Sequence, residues 1–458
     1  MCYTKFTLFL FIICFFTFSC NQQKEQIPPG DLEKPSSPLP EKMQWFTEAK
    51  LGIFIHWGIN AVEGTTESWA FMNKDVTYEE YMKQAKGFTA SKYDPESWAR
   101  LFREAGAKYS VLTSKHHDGV ALWDTKMSDL NVVKKTPAGR DLLTPYVEAL
   151  RKEGLKVGLY FSHLDWSHPD YASIVPTGFP EDAERNPFSH PEKGKEDPEA
   201  WERFLEFHRG QIDEIMELFH PDIYWFDGDW ERTAEQWKMK ELREYILSRQ
   251  PDAILNSRMS GYGDYATPEQ GVPVEPVDGP WEFCMTINDS WGFRFVDTNF
   301  KSPRQIIQIF SECIGMGGNL LLDVGPKEDG TIPEEQVNVL KELGKWIHKH
   351  EEAVYQTKRG LPFGHFYGPT TLNKKNEVVY LYLLDIPKEY VALKGIRNNI
   401  KNIRVVGTDH TLTYKRIGGA SWSYIPGILY IYIPEEVLDE YITVIALELE
   451  GELDLYHK

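Results

Sequence analysis

The chain has 458 residues, of which 41% are hydrophobic and 14% are aromatic, and its formal net charge is −19. This length exceeds that of one ordinary domain and suits a barrel of roughly 250–330 residues followed by a smaller module. The acidic charge argues against nucleic acid or an anionic membrane surface as a partner and suits a neutral ligand.

The N-terminus has the pattern of an export signal. Lys5 precedes an apolar run over residues 6–18, which is too short for a comfortable transmembrane helix. The run is followed closely by Cys20, so residues 1–20 resemble a bacterial lipoprotein signal in which Cys20 is acylated; plain secretion is the alternative. The polar, Pro-rich residues 21–42 predict a flexible tether. We therefore expect an exported protein, periplasmic or anchored to the outer membrane of a bacterium.

From about Met43 onward, buried apolar strands alternate with helices. Repeats of this length predict parallel strands with right-handed crossovers, hence a TIM-like (β/α) barrel or a doubly wound sheet over residues 43–355. The sequence has no Gly-x-Gly-x-x-Gly turn after the first strand, so a dinucleotide site is not expected. The predicted strands cover residues 51–58, 109–115, 156–161, 221–227, 253–256, 281–287 and 319–326, and the predicted helices cover residues 78–86, 95–106, 142–153, 198–219, 233–249, 306–316 and 333–350.

Beyond residue 356 the pattern changes to short strands separated by turns, without a helical period. The strand-like runs are residues 378–383, 403–406, 428–433 and 442–449. This spacing predicts a small antiparallel β-sandwich over residues 356–458. We expect it to be non-catalytic, because the candidate site residues all precede it.

Asp227 ends the strand around which the other predictions are arranged. The apolar, aromatic residues 221–226 lead directly into Asp227-Gly228-Asp229. A carboxylate at the C-terminal end of a buried parallel strand lies where α/β barrels hold their catalytic groups. Gly228 allows the chain to turn away at once, which leaves Asp227 facing the barrel mouth. The alternative is that Asp227 or Asp229 only caps the next helix, predicted to begin near Thr233.

Several other predicted strands end in polar side chains. Two carboxylates flanking a glycosidic bond are the minimum for its hydrolysis, and histidine or arginine side chains can bind hydroxyl groups. A zinc site at His116-His117-Asp118 is the competing interpretation, but neighbouring strand residues point to opposite sides and the sequence lacks His-x-His and His-Glu-x-x-His spacings. We expect neither a catalytic metal nor a cofactor. The candidate residues are His56, His116, His117, Trp225, Asp227 and Arg258, with Glu269 on a nearby loop.

Seven short motifs follow one another between about residues 43 and 350. They are Gly-Ile-Phe-Ile-His-Trp-Gly at 52–58, Glu-Ser-Trp at 67–69, Lys-His-His-Asp-Gly at 115–119, Trp-Phe-Asp-Gly at 225–228, Asn-Ser-Arg at 256–258, Ser-Trp-Gly-Phe at 290–293 and Asn-Leu-Leu-Leu-Asp-Val-Gly-Pro at 319–326. In this order they resemble the α-L-fucosidases of glycoside hydrolase family 29. The resemblance implies a catalytic barrel with a C-terminal β-sandwich. It also implies a retaining exo-glycosidase that removes terminal α-L-fucose from fucosylated oligosaccharides or glycoconjugates through a covalent fucosyl-enzyme.

The resemblance further implies a role for each matching residue. Asp227 matches the nucleophile, which attacks the anomeric carbon, and Arg258 matches a residue near it. Other positions match side chains that grip the fucose hydroxyls or surround the sugar with aromatic rings. These are His56, Glu67, Trp69, His116, His117, Tyr160, Trp225 and Phe293.

The position of the acid/base varies within this family, so the resemblance alone does not assign it. Glu269 is the first candidate, because it lies 42 residues after Asp227 on a loop predicted to be flexible. Glu282 is the rival, although its place inside a predicted strand favours a structural role. Asp264 and Glu275 are the remaining alternatives.

Two other functions fit a similar barrel. One is a catalytically inactive, fucose-binding, lectin-like protein, against which the nucleophile and the candidate acids argue. The other is a glycosidase of different specificity, such as an α-galactosidase. Loops predicted at residues 167–199 and 259–280 are expected to set the preference for linkage and aglycone.

Overall fold

The computed structural model describes residues 39–456, so the predicted signal peptide, Cys20 and most of the predicted tether lie outside the described residues. Seven parallel strands form the first sheet in the order β5-β4-β3-β2-β1-β7-β6. Their side chains are buried almost throughout, as expected for strands covered on both faces. The strands are β1 Leu51–Ile55, β2 Tyr109–Lys115, β3 Lys156–Ser162, β4 Ile223–Asp227, β5 Ile254–Leu255, β6 Glu282–Thr286 and β7 Asn319–Val324.

Residues 265–269 join the two outer strands of this sheet, β5 and β6. Parallel bridges link Tyr265 to Asn256 just beyond β5, and link Ala266 and Glu269 to the β6 side. Two backbone amides of β6 donate to oxygens of this segment at 2.9 and 3.1 Å. The ring of strands is therefore closed as a barrel. The sequence predicts a loop at residues 259–280 because they are rich in Gly and Pro. Pairing on both sides makes residues 265–269 part of the barrel wall.

Helices surround the barrel and begin at capping residues. Asp94 and Asp197 each accept hydrogen bonds from first-turn amides and precede a proline at the first helical position. The single helix predicted at 233–249 is divided in two, because Lys238 adopts the left-handed conformation with φ of 53°. Within residues 39–456, none of the helices has the length and apolar character needed to cross a bilayer. The helices are α1 Gln44–Ala49, α2 Trp69–Met72, α3 Tyr78–Lys83, α4 Pro95–Glu104, α5 Val132–Lys135, α6 Leu143–Lys152, α7 Pro198–Phe219, α8 Ala234–Trp237, α9 Met239–Arg249, α10 Pro303–Gly315, α11 Glu334–Lys349 and α12 Glu351–Val354, with 3-10 turns at Glu41–Met43, Ile59–Ala61, Gln84–Gly87, Tyr171–Ser173, Asp229–Glu231, Ser421–Ser423 and Glu435–Val437.

The C-terminal strands form two antiparallel sheets, which confirms the predicted sandwich architecture. A five-stranded sheet has the order β12-β15-β10-β9-β8 and a three-stranded sheet the order β11-β14-β13. Buried and partly exposed residues alternate along β14, so one face packs on an aliphatic core. The strands are β8 Thr357–Arg359, β9 Thr370–Asn373, β10 Val378–Leu383, β11 Tyr390–Leu393, β12 Ile400–Val405, β13 Tyr414–Ile417, β14 Ile428–Tyr432 and β15 Thr443–Leu449.

Trp346 of α11 connects the barrel to the sandwich. Its ring is 2% exposed, and its indole Nε1 donates to the backbone oxygen of Ile442 at 2.8 Å. The same ring lies 6.3 Å from that of Tyr382 in β10. Arg304 of α10 adds two hydrogen bonds to backbone oxygens of the sandwich, at 2.6 and 2.8 Å. The sandwich therefore covers apolar barrel surface.

We predict that Trp346→Ala lowers the free energy of unfolding by about 3–5 kcal/mol, because it removes a large buried ring and leaves the carbonyl of Ile442 without its donor. Urea denaturation followed by circular dichroism measures this loss. The exposed neighbour Lys345→Ala serves as the control and should change stability by less than about 0.5 kcal/mol. Equal losses in the two variants would show that this junction does not stabilise the fold.

Candidate active site

Asp227 is the last residue of β4, and the chain turns immediately after it. Gly228 has φ of +87°, a conformation that costs glycine little and other residues more. The side chain of Thr233, in a capping box, caps α8. Asp229 accepts a hydrogen bond from the amide of Ser260 at 2.6 Å. The helix-capping alternative is therefore wrong for both aspartates, and the Asp227 carboxylate faces the barrel mouth.

Three side chains surround the Asp227 carboxylate. Arg258 Nη1 donates to Oδ1 at 3.0 Å, and the Tyr160 hydroxyl donates to Oδ2 at 3.0 Å. His117 Nε2 lies 3.8 Å from Oδ2. Burial raises the pKa of Asp227 to about 6, while Arg258 and Tyr160 act to lower it. Above that pH the carboxylate is ionised, which is the form that can act as a nucleophile.

Glu269 binds the same guanidinium from the other side. Arg258 Nη2 donates to Glu269 Oε2 at 2.6 Å, and Arg258 Nε lies 3.4 Å from Thr267 Oγ1 in the same barrel segment. The side chain of Glu269 is 38% exposed and that of Asp227 14% exposed. Two carboxylates on one guanidinium lie close together, as required for the ~5–5.5 Å carboxyl separation of retaining glycosidases. Glu269 is thus held on the barrel wall, and not on the flexible loop that the sequence predicts.

Glu282, the rival candidate, lies in the barrel interior. It is fully buried, accepts a hydrogen bond from the Trp225 indole at 2.9 Å and accepts another from the Tyr109 hydroxyl. Burial raises its pKa to about 7, against the lowering effect of these two donors. Its carboxylate oxygens are therefore both hydrogen-bonded inside the barrel core.

Neither of the two remaining alternatives is among the groups that surround Asp227 or Arg258. Asp264 accepts hydrogen bonds from Lys42 Nζ at 2.8 Å and from the backbone amide of Leu255 at 3.0 Å, which ties the N-terminal segment to the barrel. Glu275 lies exposed on the chain beyond the barrel segment.

Three histidines lie at the ends of β1 and β2, of which His56 and His117 are buried and His116 is half-buried. The Nδ1 atom of each ring forms a hydrogen bond with a buried or half-buried side chain. The Nε2 atom on the opposite edge of each ring is not used in that bond. Burial lowers the pKa of all three, that of His116 to about 3, so the rings are neutral at pH 7 and suit hydroxyl groups. Across residues 39–456, no group of three or more His, Cys, Asp or Glu side chains is arranged to hold a metal ion. The contacts are His56 to Asp323 Oδ1 at 2.7 Å, His116 to Ser68 Oγ at 2.6 Å and His117 to Ser162 Oγ at 2.6 Å.

Glu67 is placed beside these rings by Gly292. The Gly292 amide donates to the Glu67 carboxylate. A Cβ at residue 292 would lie 2.5 Å from both Glu67 Oε1 and Asn60 Nδ2, so this approach requires glycine. Glu67, His56 and His116 line one small cavity. This contact explains the glycine of the Ser-Trp-Gly-Phe motif.

Aromatic rings form the floor and part of the rim. The Trp225 ring stacks on Tyr160 at 5.7 Å, and the Arg258 guanidinium lies 5.6 Å above Trp225. Trp69 packs edge-on against His117 at 5.7 Å and lies parallel to the half-exposed Trp230 at 6.5 Å. An apolar sugar face or methyl group can pack against such rings.

The Ser-Trp-Gly-Phe motif contributes a ring that sequence reasoning missed. Trp291 packs on the His56 ring at 4.9 Å and on Phe54 at 5.9 Å. Phe293, the residue chosen from the sequence, packs against Phe295 at 5.0 Å, with Lys327 Nζ at 5.7 Å from its ring. Both residues lie in the quoted motif, and only the path of the loop decides which ring meets His56.

A closed parallel barrel that presents two neighbouring carboxylates, neutral histidines and aromatic rings at its carboxyl edge defines a retaining glycoside hydrolase. A family model described as alpha-L-fucosidase matches residues 18–352. The tissue alpha-L-fucosidase of Mus musculus is 30% identical over 433 residues, spanning 87% of this chain and 89% of that protein. The chain belongs to the α-L-fucosidase family, glycoside hydrolase family 29, and hydrolyses terminal α-L-fucosides with retention of configuration.

Solved structures agree with this assignment. Alpha-L-fucosidase isoenzyme 1 from Paenibacillus thiaminolyticus has a TM-score of 0.80 at 32% identity, covering 90% of this chain and 99% of that one. A family 29 alpha-L-fucosidase from Bacteroides thetaiotaomicron has a TM-score of 0.79 at 27% identity, covering 92% and 99%. The latter was solved as a covalent intermediate trapped with 2-fluoro-fucosyl fluoride. The TIM-like barrel with a C-terminal β-sandwich is thus the fold of this chain.

We predict that Glu282→Gln flattens the pH dependence of stability. The folded pKa of about 7 exceeds the ordinary 4.5, so between these values the folded state keeps a proton that the unfolded state releases. The free energy of unfolding therefore falls as pH rises through this window, and glutamine removes that contribution. Urea midpoints between pH 4 and 8 measure the difference from wild type, with the exposed Glu275→Gln as control. A midpoint difference that does not change with pH would contradict this.

Proposed function

We propose that Asp227 is the nucleophile and Glu269 the acid/base of fucoside hydrolysis. The observation that carries this proposal is the Arg258 guanidinium, which contacts Asp227 at 3.0 Å and Glu269 at 2.6 Å. In the first step Asp227 forms an ester with the anomeric carbon while Glu269 gives its proton to the departing glycosidic oxygen. In the second step Glu269 takes a proton from water, which attacks the same carbon and releases Asp227 and fucose.

Arg258 serves both steps of this mechanism. The first step requires an ionised Asp227 to attack and a protonated Glu269 to release the leaving group. The hydrogen bonds from Arg258 and Tyr160 hold the Asp227 carboxylate in position for attack. Once Asp227 is esterified and has lost its charge, the guanidinium stabilises the Glu269 carboxylate, which then acts as base.

The sugar is proposed to lie between the histidines and the aromatic floor. His56, Glu67 and His116, which line one cavity, and His117, beside Asp227, present neutral rings and a carboxylate to its hydroxyls. Trp225 lies beneath its apolar face. The substrate is a fucosylated oligosaccharide or glycoconjugate, cleaved at its terminal fucose.

The two carboxylates are distinguished by azide rescue with an aryl α-L-fucoside. Asp227→Ala removes the nucleophile, so turnover should fall by more than about 1000-fold, and azide entering from the vacated side should yield the β-fucosyl azide. Glu269→Ala should still form the fucosyl-enzyme, because an aryl leaving group needs little protonation. Azide should then attack the intermediate and yield the α-fucosyl azide, with configuration retained.

Glu282→Gln is the matched control for this experiment, since it alters a carboxylate of the same barrel without removing volume. It should give neither azide product. The assignment of the acid/base is wrong if the Glu282 variant yields the α-azide and the Glu269 variant does not.

We also propose that the protein is exported and held at a membrane through an acylated Cys20. The support is the apolar run at residues 6–18 that leads to this cysteine, and the Pro-rich residues that follow it. Wild-type protein expressed in a bacterium should sediment with membranes and incorporate labelled fatty acid, and Cys20→Ala should do neither. Exported wild-type protein that is soluble and unlabelled would favour plain secretion.

A further inference from the structure

A chain of hydrogen-bonded side chains runs from the half-buried Arg209 of α7, outside the barrel, through two buried histidines to the backbone of Arg258. Arg209 Nη1 donates to His208 Nδ1 at 2.8 Å, and His208 Nε2 lies 3.1 Å from His163 Nδ1. His163 Nε2 lies 3.2 Å from the backbone oxygen of Arg258. Both histidines are fully buried, and their rings stack at 5.3 Å. We call these three residues the histidine relay.

The two ends of the relay fix every proton within it. Arginine can only donate, so His208 accepts at Nδ1 and carries its proton on Nε2. A carbonyl oxygen can only accept, so His163 carries its proton on Nε2 and accepts at Nδ1. The two assignments agree at the contact between the rings. His208 Nε2 carries the proton and donates it to the unprotonated Nδ1 of His163.

The electrostatic surroundings fit two neutral rings. Burial lowers the pKa of both histidines, that of His163 to about 3, and the nearby charges of Arg209 and Lys115 lower them further. A proton added to either ring would place two N–H groups against each other or against Arg209. At neutral pH the relay is therefore a chain of hydrogen bonds in which each donor and acceptor is fixed.

His163 also holds the strand that carries the nucleophile. Its backbone amide donates to the backbone oxygen of Asp227 at 2.8 Å, and its ring lies parallel to Phe226 at 4.7 Å. One residue thus fixes the end of β4 and, through its ring, the backbone of Arg258. Both contacts are made to backbone oxygens, so neither occupies the carboxylate of Asp227 or the guanidinium of Arg258.

We propose that His163 and His208, oriented by Arg209, are positioning residues that set where the Arg258 guanidinium lies between Asp227 and Glu269. This inference rests on the roles proposed above for the two carboxylates. If the Arg258 carbonyl loses its buried donor, the backbone at that residue moves towards another partner, and the guanidinium moves away from Asp227. Ser260 and Thr267 still tether the same loop, to Asp229 and to Arg258 Nε respectively, so the barrel itself remains folded.

Two substitutions of His163 separate positioning from packing. The amide of His163→Gln reaches the place of Nε2 and keeps a donor for the Arg258 oxygen. The shorter His163→Asn offers its amide at the place of Nδ1, so it keeps the contact to His208 and leaves the Arg258 oxygen without a donor. We expect His163→Asn to lower kcat/KM by about 10-fold or more, and His163→Gln by less than about 3-fold.

The pH profile reports the position of the guanidinium directly. The charged and titratable groups that face Asp227 are Arg258, Tyr160, His117 and Glu269, and all of them remain in both variants. Since Arg258 lowers the pKa of Asp227, its displacement should move the acidic limb of kcat/KM to higher pH in His163→Asn and leave it in place in His163→Gln.

His350→Asn is the control for loss of a buried histidine. Its ring is buried at the C-terminal end of α11; Nδ1 donates to the Trp346 oxygen at 2.8 Å, and Nε2 lies 3.9 Å from Asp439 Oδ2. It should lose stability in urea with an unmoved pH profile. If His163→Asn fails to fold, the same comparison can be made at His208 in α7. Here His208→Gln can still donate to His163 Nδ1, whereas His208→Leu cannot.

The inference is overturned if the matched variants have the same pH profile, or if the control moves it equally. Its failure is distinguishable from failure of the proposed roles. The azide products of the Asp227 and Glu269 variants test those roles independently of the relay.

Discussion

One guanidinium between two carboxylates is the interaction on which the site depends. Asp227 and Glu269 are acidic groups at the same barrel mouth, in a chain of net charge −19. Their mutual repulsion and the burial of Asp227 both raise the pKa of Asp227, whereas its proposed role as nucleophile uses the ionised form. Arg258 opposes both effects, and its planar fork binds two carboxylates at once in a way that lysine cannot reproduce.

The fold delivers these three side chains by closing the barrel. Glu269 lies on the segment 265–269, which pairs with the β6 side and completes the ring of strands. Arg258 follows β5 directly, on the other side of that segment. The backbone hydrogen bonds that complete the barrel therefore also fix where Glu269, the proposed acid/base, lies relative to Asp227, the proposed nucleophile.

The polar groups behind the site explain why so many of its histidines are buried. His56, His116 and His117 each form a hydrogen bond through one ring nitrogen, and His163 and His208 form hydrogen bonds through both. A buried imidazole without partners would be costly, whereas one with fixed partners has a defined tautomer and a fixed orientation. The side chains of the site are thus held in place by residues outside the barrel as well as by contacts at its mouth.

The sequence by itself determined the parallel barrel strands, the antiparallel character of the second module and the position of Asp227 before the turn at Gly228, because burial periodicity and left-handed glycine are local properties of the chain. It located four of the eight strands described in that module, namely β10, β12, β14 and β15. It also grouped the candidate residues, since parallel strands present their carboxyl ends at one edge. Only the tertiary structure decided that Glu269 and not Glu282 meets Arg258, that Trp291 meets His56, and that His163 reaches the backbone of Arg258, 95 positions along the chain. These contacts depend on how the ring closes and where loops cross, and no local pattern of residues encodes that geometry.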